Sequence, residues 1–329
     1  YVFEKKDVAE LRAKAEQGDV ESQYWLGFVY GDGEGVQKDL TESLKWTKLA
    51  AEHGHAKAQY NLASFYTRGE VVPKNISEAI RWLQLSAAQG LADAMDVLGY
   101  IHDVGEDVQE DDVEAVKWYQ AAAELGLASA QYHLANMYRG GQGVAPDLVE
   151  AVKWTRLAAD QGEERAQHNL SYFYTFGEGV PQDRVEAFKW AARAAKQGHA
   201  PAQYNLGLMY DTGEGVAEDN AKAVKWYLFA AVQGNAQAQL VLGQMYYDAE
   251  GVPHNLDESI HWYTKAAEQG DGEAMFQLGM IFGTDYDTLD TLKLATFWMR
   301  SAADLGHDRA KEFMKDFLAL GRPKVLNDT

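Results

Sequence analysis

The chain has 329 residues, about twice the length of an ordinary domain, so it must contain several domains or an internal repeat. Its 30 Lys and Arg residues against 50 Asp and Glu residues give a formal net charge of −20. This charge argues against nucleic-acid binding, because nucleic-acid-binding surfaces concentrate cations. The absence of cysteine excludes disulfides, thiolate zinc sites and cysteine nucleophiles. No apolar run approaches the ~18 residues that a membrane span requires, so membrane insertion is not expected.

The first predicted element is a helix within residues 1–21. Ala15 and Gly18 occupy positions that recur every 36 residues further along the chain, whereas Glu10 stands where the later segments have tryptophan. A charged residue suits a helix whose outer face has no neighbour to cover it. We therefore predict that residues 1–21 form an N-terminal capping helix.

Residues 22–309 contain three residue types that recur at intervals of 36 without an insertion. The tryptophans are Trp46, Trp82, Trp118, Trp154, Trp190, Trp226, Trp262 and Trp298. The leucines are Leu26, Leu62, Leu98, Leu134, Leu170, Leu206, Leu242 and Leu278. The glycines are Gly54, Gly90, Gly126, Gly162, Gly198, Gly234, Gly270 and Gly306. Three columns in phase predict eight 36-residue repeats stacked in a solenoid.

Each repeat is predicted to contain two helices. In the first repeat, Leu26, Gly27 and Tyr30 form the buried stripe of the first helix, and a glycine-containing loop follows. Asp39 and Glu42 form a capping box that marks the start of the second helix, as do equivalent pairs in five further repeats. The second helix buries one face and ends at a left-handed glycine. That face is formed by Ser43, Trp46, Ala50 and Ala51.

Small residues recur where neighbouring helices must approach closely. The position of Ala51 is alanine in all eight repeats, and the position of Gly27 is always Gly, Ala or Ser. A larger side chain there would overpack the contact, at about 1–3 kcal/mol per site. The tryptophan is then expected to fill the space between hairpins.

The last predicted element lies in residues 310–329. Phe313, Met314 and Phe317 are apolar and resemble one more first helix, which ends near Gly321. We predict a C-terminal capping helix followed by a short tail.

The repeat resembles a known family. Residues 202–216 read Ala-Gln-Tyr-Asn-Leu-Gly-Leu-Met-Tyr-Asp-Thr-Gly-Glu-Gly-Val, and Trp226 and the pair Ala230–Ala231 follow. This pattern is similar to the Sel-one-like repeat family, which is related to the tetratricopeptide solenoids. The resemblance implies an all-α, right-handed superhelical solenoid with the first helices lining its concave side. Val71, Asp107 and residues 285–287 depart from the loop pattern, so those loops are expected to follow a different backbone path.

Residues on the outer side of the first helices are the candidate partner-binding positions, because 100° per residue turns them away from the buried stripe. Many are aromatic, as in protein-binding hot spots, and the others vary between repeats. They are Tyr24, Phe28, Tyr60, Arg68, Asp96, Tyr100, Tyr132, Asn136, Arg139, His168, Tyr172, Tyr204, Leu208, Asp211, Gln244 and Phe276. An alternative stays open for the column of Tyr24, whose side chains could pack between adjacent first helices.

Charge is uneven along the repeats. Residues 94–129 contain one basic and nine acidic residues, a net charge of −8, and residues 238–273 have a net charge of −6. This pattern favours a basic or extended segment of a partner protein, although solubility alone also accounts for it. Lys45, Arg81, Lys117, Lys153, Lys189 and Lys225 form a basic column on the second helices, and all but Lys225 follow a glutamate by three residues. This column is predicted to be solvated and paired.

The sequence also contains residues that suit a metal or catalytic site. His133 and His168, with Asp96, could form a weak metal or enzyme site, and Asp285, Asp287 and Asp290 resemble part of a calcium loop. His53, His55, His199 and His307 are interpreted as solvated turn residues. No nucleophile, phosphate-loop or zinc-protease motif is present, so we predict a non-enzymatic chain without a cofactor.

The sequence begins at Tyr1 without an apolar leader, and any targeting segment is expected to have been trimmed. Bacterial relatives are often exported, and members in pathogens contact host proteins. The resemblance therefore implies a periplasmic or secreted location in preference to a cytoplasmic one. A net charge of −20 keeps copies apart, and we predict a monomer.

Overall fold

The computed structural model describes residues 5–105, 108–284 and 288–319, and every regular element in these residues is an α-helix. The chain divides into two compact units, residues 1–166 and 167–329. The first unit contains α1 (Lys5–Glu16), α2 (Val20–Asp32), α3 (Leu40–Glu52), α4 (Ala56–Arg68), α5 (Ile76–Ala87), α6 (Ala92–Val104), α7 (Asp112–Glu124), α8 (Ala128–Gly140) and α9 (Leu148–Asp160).

Helix α10 (Glu164–Phe176) begins at the end of the first unit. The second unit continues with α11 (Arg184–Lys196), α12 (Ala200–Thr212), α13 (Asn220–Val232), α14 (Ala236–Asp248), α15 (Leu256–Glu268), α16 (Gly272–Thr284), α17 (Leu289–Asp304) and α18 (Asp308–Ala319). The even-numbered helices from α2 to α16 are the first helices of the repeats, and the helices that follow them are the second helices. The predicted all-α solenoid of eight helical hairpins is confirmed, and its right-handed superhelical path stays a prediction.

The start of each of the seven second helices from α3 to α15 is held by two kinds of hydrogen bond. The carboxylate of Asp39 accepts from the N–H groups of Thr41 and Glu42, as the predicted cap requires. The N–H of Asp39 donates to the carbonyl of Tyr30 at 2.9 Å, which satisfies one orphan group at each helix end. The predicted second half of the capping box is therefore wrong, and the glutamate pairs with Lys45 instead.

The recurring leucines and alanines form the core. All eight leucines are buried, and each stabilises the fold by about 2 kcal/mol relative to an exposed side chain. The indoles of Trp46, Trp82, Trp190 and Trp262 are buried as well, and those of the other four repeat tryptophans are half-buried. The prediction that the tryptophans fill space between hairpins is confirmed.

Within each hairpin, the residue at the position of Gly27 faces the residue that follows the tryptophan. A Cβ on Gly99 or Gly207 would lie 2.6 or 2.7 Å from the ring of Tyr119 or Tyr227. The second repeat has Ala63 and the smaller Leu83 at these two positions. In the repeats that carry a tyrosine after the tryptophan, the glycine therefore leaves the space that the ring occupies.

The loops pack against the preceding repeat. A Cβ on Gly215 would overlap the carbonyl oxygen of Arg184, so only glycine fits there. Val71 stands at the equivalent position with a φ outside the left-handed region, whereas Gly35 has φ 72°. The different backbone path predicted for that loop is confirmed. Asp107 and residues 285–287 lie outside the described residues.

Helix α1 lies in the predicted N-terminal segment, residues 1–21, and α18 begins two residues before the predicted C-terminal segment, residues 310–329. Helix α1 buries Val8 and Ala15 against the first hairpin, and α18 buries Ala310 and Met314 against the last. Their assignment as caps stays a prediction, and the tail from residue 320 lies outside the described residues.

Candidate partner-binding surface

The column of Tyr24 packs between neighbouring first helices. The Tyr24 ring stacks on His55 with centroids 4.4 Å apart, and the guanidinium of Arg165 lies 4.7 Å from the ring centre of Tyr132. The alternative interpretation, packing between repeats, therefore describes this column. Its half-buried members are Tyr24, Tyr60, Asp96, Tyr132, His168 and Tyr204.

Phe276, in the same column, is only 4% exposed. It lies in a cluster with Met299 and Met314, and His307 stacks on its ring at 4.8 Å. The prediction that Phe276 faces a partner is wrong, because α17 and α18 supply neighbours that an isolated helix does not have.

Three of the turn histidines are helix caps. Nδ1 of His55 accepts from the N–H of Ala58 at 3.1 Å, and His199 and His307 cap α12 and α18 in the same way. Their rings are half-buried, so the prediction that they are solvated is wrong. Burial alone would raise the pKa of Glu273, but hydrogen bonds from His307 and Gln277 outweigh it and lower that pKa.

The residues considered for a metal site form separate hydrogen bonds. In the first unit, Asp96 bonds to His133 at 2.9 Å and accepts from Ser129 at 2.7 Å. In the second unit, His168 bonds to Asn205 at 2.8 Å. Across the described part of the chain, no group of three or more His, Asp or Glu residues could hold a metal ion. Asp285 and Asp287 lie outside that part.

Two polar residues predicted to contact a partner instead accept hydrogen bonds from buried tyrosines. The hydroxyl of Tyr227 donates to Asp211 at 3.3 Å, and that of Tyr263 donates to Gln244 at 2.9 Å. Tyr119 donates to Asp103 in the same way.

Burial raises the pKa of each of these tyrosines. The nearby carboxylates of Asp103 and Asp211 raise the pKa of Tyr119 and Tyr227 further. Sequence reasoning missed the three tyrosines. Their signal was a tyrosine after the repeat tryptophan combined with a glycine at the position of Gly27.

Apart from Tyr247, the large apolar side chains that stay exposed on the described first helices belong to the columns of Phe28 and Asp32. We define the first-helix surface by these side chains in each unit. They are Tyr100 and Val104 in the first unit and Tyr172, Phe176, Leu208 and Met280 in the second. Among the other predicted residues, Arg68 and Arg139 are exposed, whereas Phe28 and Asn136 are half-buried.

Clefts occur beside this surface at one repeated position, between two consecutive first helices and the loop that follows the earlier of them. The α2–α4 cleft has a volume of about 360 Å³, and its lining includes Phe28, Asp32, Lys38, Leu40, Arg68 and Glu70. The α4–α6 cleft has a volume of about 260 Å³ and is lined by Thr67, Lys74, Ile76, Val97, Tyr100, Ile101 and Val104.

The second unit has a cleft at the same repeat position. This α10–α12 cleft has a volume of about 240 Å³, and its lining includes Tyr172, Phe176, Gln182, Arg184, Asn205, Leu208 and Glu214. Lys38, Lys74 and Gln182 are equivalent positions 36 and 108 residues apart. The three clefts therefore lie at the same position of the repeat, whereas the side chains that line them differ.

The basic column on the second helices is paired with glutamates. Lys45 lies 3.1 Å from Glu42, and Lys117 lies 2.8 Å from Glu114. The prediction of a solvated, paired column is confirmed, and these cations are not an anion-binding site.

Eight consecutive segments of 36 residues, covering 20–307, match the family model of the Sel1 repeat. The chain belongs to the Sel1 repeat family. The resemblance to Sel-one-like repeats is therefore confirmed, with repeat boundaries two residues before those chosen from the sequence.

Two solved structures are similar to most of the chain. A protective antigen of uropathogenic Escherichia coli with an SLR fold is 33% identical, with a TM-score of 0.66, and the match covers 95% of this chain and 75% of that one. A Sel1 repeat protein from Oxalobacter formigenes is 35% identical, with a TM-score of 0.71, and the match covers 84% of this chain and 80% of that one. No curated protein sequence matches the chain significantly.

Sel1 repeat proteins are in general scaffolds for protein–protein interaction and are generally not enzymes. In the described residues of this Sel1 chain, no helix is both long and apolar enough to cross a membrane.

Proposed function

We propose that this Sel1 repeat chain is a non-enzymatic scaffold that binds another protein along its first-helix surface, and that this surface is the concave side of the solenoid. The observation that carries the proposal is the set of clefts at one repeat position with different linings. Clefts with the same backbone position and different lining residues give a binding surface its specificity. Exposed tyrosines such as Tyr100 and Tyr172 are typical anchors of a bound partner.

The partner segment is basic. The chain has a net charge of −20, and the repeat that contains Tyr100 contributes a net charge of −8. Such a field speeds the encounter with a cationic segment and disfavours acidic competitors.

A matched pair of triple variants tests the surface. Changing Tyr100, Tyr172 and Leu208 to Ser alters the first-helix surface, where these side chains are 54%, 37% and 39% exposed. Changing Leu85, Leu157 and Phe229 to Ser alters the second helices, where exposure is 43%, 42% and 43%. The partner is captured from extract of the producing cells and quantified by mass spectrometry. We expect the first variant to lose it and the second to retain it, and retention by both would refute the surface.

We further propose that the protein is bacterial, exported and monomeric. A 33% identical relative is a protective antigen of a pathogenic bacterium, which supports a bacterial, exported protein. Fractionation of cells that express the complete gene tests the location, and finding the protein in the cytoplasm would refute export. Light scattering of the purified chain tests the monomer, for which 36.6 kDa is expected.

A further inference from the structure

The α4–α6 cleft differs from the other two equivalent clefts because no Asn, Arg, Asp or Glu side chain lines it. It has Val97 where the other two have Asn61 and Asn205. It also has Ile76 at the position that is Arg184 in the second unit. Four aliphatic side chains and the ring of Tyr100 therefore form most of its walls, and burial of an apolar group there is favourable.

The size of the cleft suits one side chain. Its volume of about 260 Å³ lies below the roughly 300–1,000 Å³ of sites that enclose small molecules. Tyr100 and Val104 are exposed at its rim, so an entering side chain would cover both.

The helix that forms the rim is acidic. Helix α6 contains Asp93, Asp96 and Asp103 and has no Lys or Arg. Asp96 and Asp103 lie four residues before and three residues after Tyr100, which places them on the same face of the helix. Their hydrogen bonds go to a serine, a histidine and a tyrosine, so neither carboxylate is paired with a lysine or arginine.

We propose that the α4–α6 cleft is the anchor of the first-helix surface, and that it takes one large apolar side chain of an extended partner segment with Lys or Arg within three residues of it. The proposal rests on the proposed function and adds the chemistry of the partner. Neighbouring first helices lie roughly 10 Å apart, a distance that about three extended residues span. A cation at that spacing lies in the negative field of α6, which carries Asp93, Asp96 and Asp103 and no Lys or Arg, while the apolar side chain fills the cleft.

A library of random twelve-residue peptides displayed on phage tests the proposal against the full chain. We expect the enriched peptides to share one Leu, Ile, Met or aromatic residue with Lys or Arg within three positions. Synthetic copies are then measured by fluorescence polarisation. Changing Tyr100 and Val104 together to Ser should raise Kd at least tenfold, and adding salt should weaken binding to the unchanged chain.

The matched control changes Tyr172 and Phe176 to Ser in the α10–α12 cleft, where both side chains are also exposed. It should change Kd less than twofold. A tenfold loss in the control with no loss in the Tyr100 variant would overturn the anchor and leave the first-helix surface in place. Peptides insensitive to both variants would overturn the anchor and also the proposed surface. Enrichment of acidic peptides, or of none, would overturn the basic extended partner.

Discussion

Gln233 donates from Nε2 to Oε1 of Gln203 at 2.7 Å, and Gln203 donates in turn to the carbonyl of Ala195 at 3.2 Å. One buried side chain therefore links the ends of two consecutive second helices. The same glutamine pair joins Gln59 with Gln89, Gln131 with Gln161, Gln167 with Gln197, and Gln239 with Gln269.

The two positions change together within the chain. Where the first member is methionine, the second is leucine, as in Met95 with Leu125 and Met275 with Leu305. The pairing is therefore either polar at both positions or apolar at both, as expected if a buried amide needs its partner.

Changing Gln203 to Met should lower the free energy of unfolding by about 1–2 kcal/mol, because two hydrogen bonds are lost. The double variant with Gln233→Leu should lose less free energy of unfolding than the two single variants lose together, because it recreates the methionine–leucine pair of the third repeat. Urea unfolding of the four members of the cycle measures this coupling. Strict additivity would contradict the idea that the two positions act together.

Gly207→Ala should destabilise the second unit by about 1–3 kcal/mol, because the added Cβ would lie 2.7 Å from the ring of Tyr227. The double variant with Tyr227→Leu should recover part of this loss, since Ala63 and Leu83 are the natural pair in the second repeat. Gly272→Ala is the control, because its nearest neighbour is 3.8 Å away and no loss is expected. Equal melting temperatures for Gly207→Ala and the unchanged protein would contradict the packing argument.

The helices and the core could be predicted because one 36-residue spacing fixes them eight times over. Leu134 and Leu206 cluster with alanines of the preceding second helix, and because those alanines recur at the same spacing of 36, the repeat pattern was sufficient to place the leucines in the core. The column of Tyr24 could not be placed in this way. Its contacts come from the next repeat, as in the bond between Asp96 and His133, 37 residues apart.

The clefts were also beyond sequence reasoning. Each is formed by two first helices and a loop, so residues as distant as Lys74 and Val104 share one wall. A helical wheel describes one helix at a time and cannot show a cleft that forms between two helices. It did identify Tyr100, Tyr172 and Leu208 as exposed, because the column of Phe28 points away from both neighbours.

Ala249 is the only non-glycine with positive φ among the described residues, at 64°. It ends α14 where six other repeats have glycine. The left-handed conformation destabilises an alanine by roughly 1–2 kcal/mol. Glycine removes this strain, but it also raises the entropy of the unfolded chain, which lowers the free energy of unfolding by about 0.4–1 kcal/mol. Ala249→Gly should therefore stabilise the second unit by about 0.5–1 kcal/mol in urea unfolding.

The control for this change is Ala217→Gly, in an equivalent loop at a residue whose φ is not positive. It should destabilise the unit by about 0.4–1 kcal/mol, because only the entropy term remains. Destabilisation by both changes would show that the φ of Ala249 carries no strain.

The buried tyrosines predict a loss of stability at alkaline pH. Tyr119, Tyr227 and Tyr263 have a pKa above the ordinary value of 10.0, so the unfolded chain releases these protons first as the pH rises. The contribution of these tyrosines to the free energy of unfolding is fully present below pH 10. Above pH 10 it falls by about 1.4 kcal/mol per pH unit for each tyrosine. In the Tyr227→Phe variant, the free energy of unfolding should therefore fall less steeply with pH, by about 1.4 kcal/mol per pH unit. Urea unfolding between pH 8 and 11 measures both slopes, and equal slopes, or tyrosinate absorbance at 295 nm from every tyrosine of the folded chain, would show that Tyr227 ionises without unfolding.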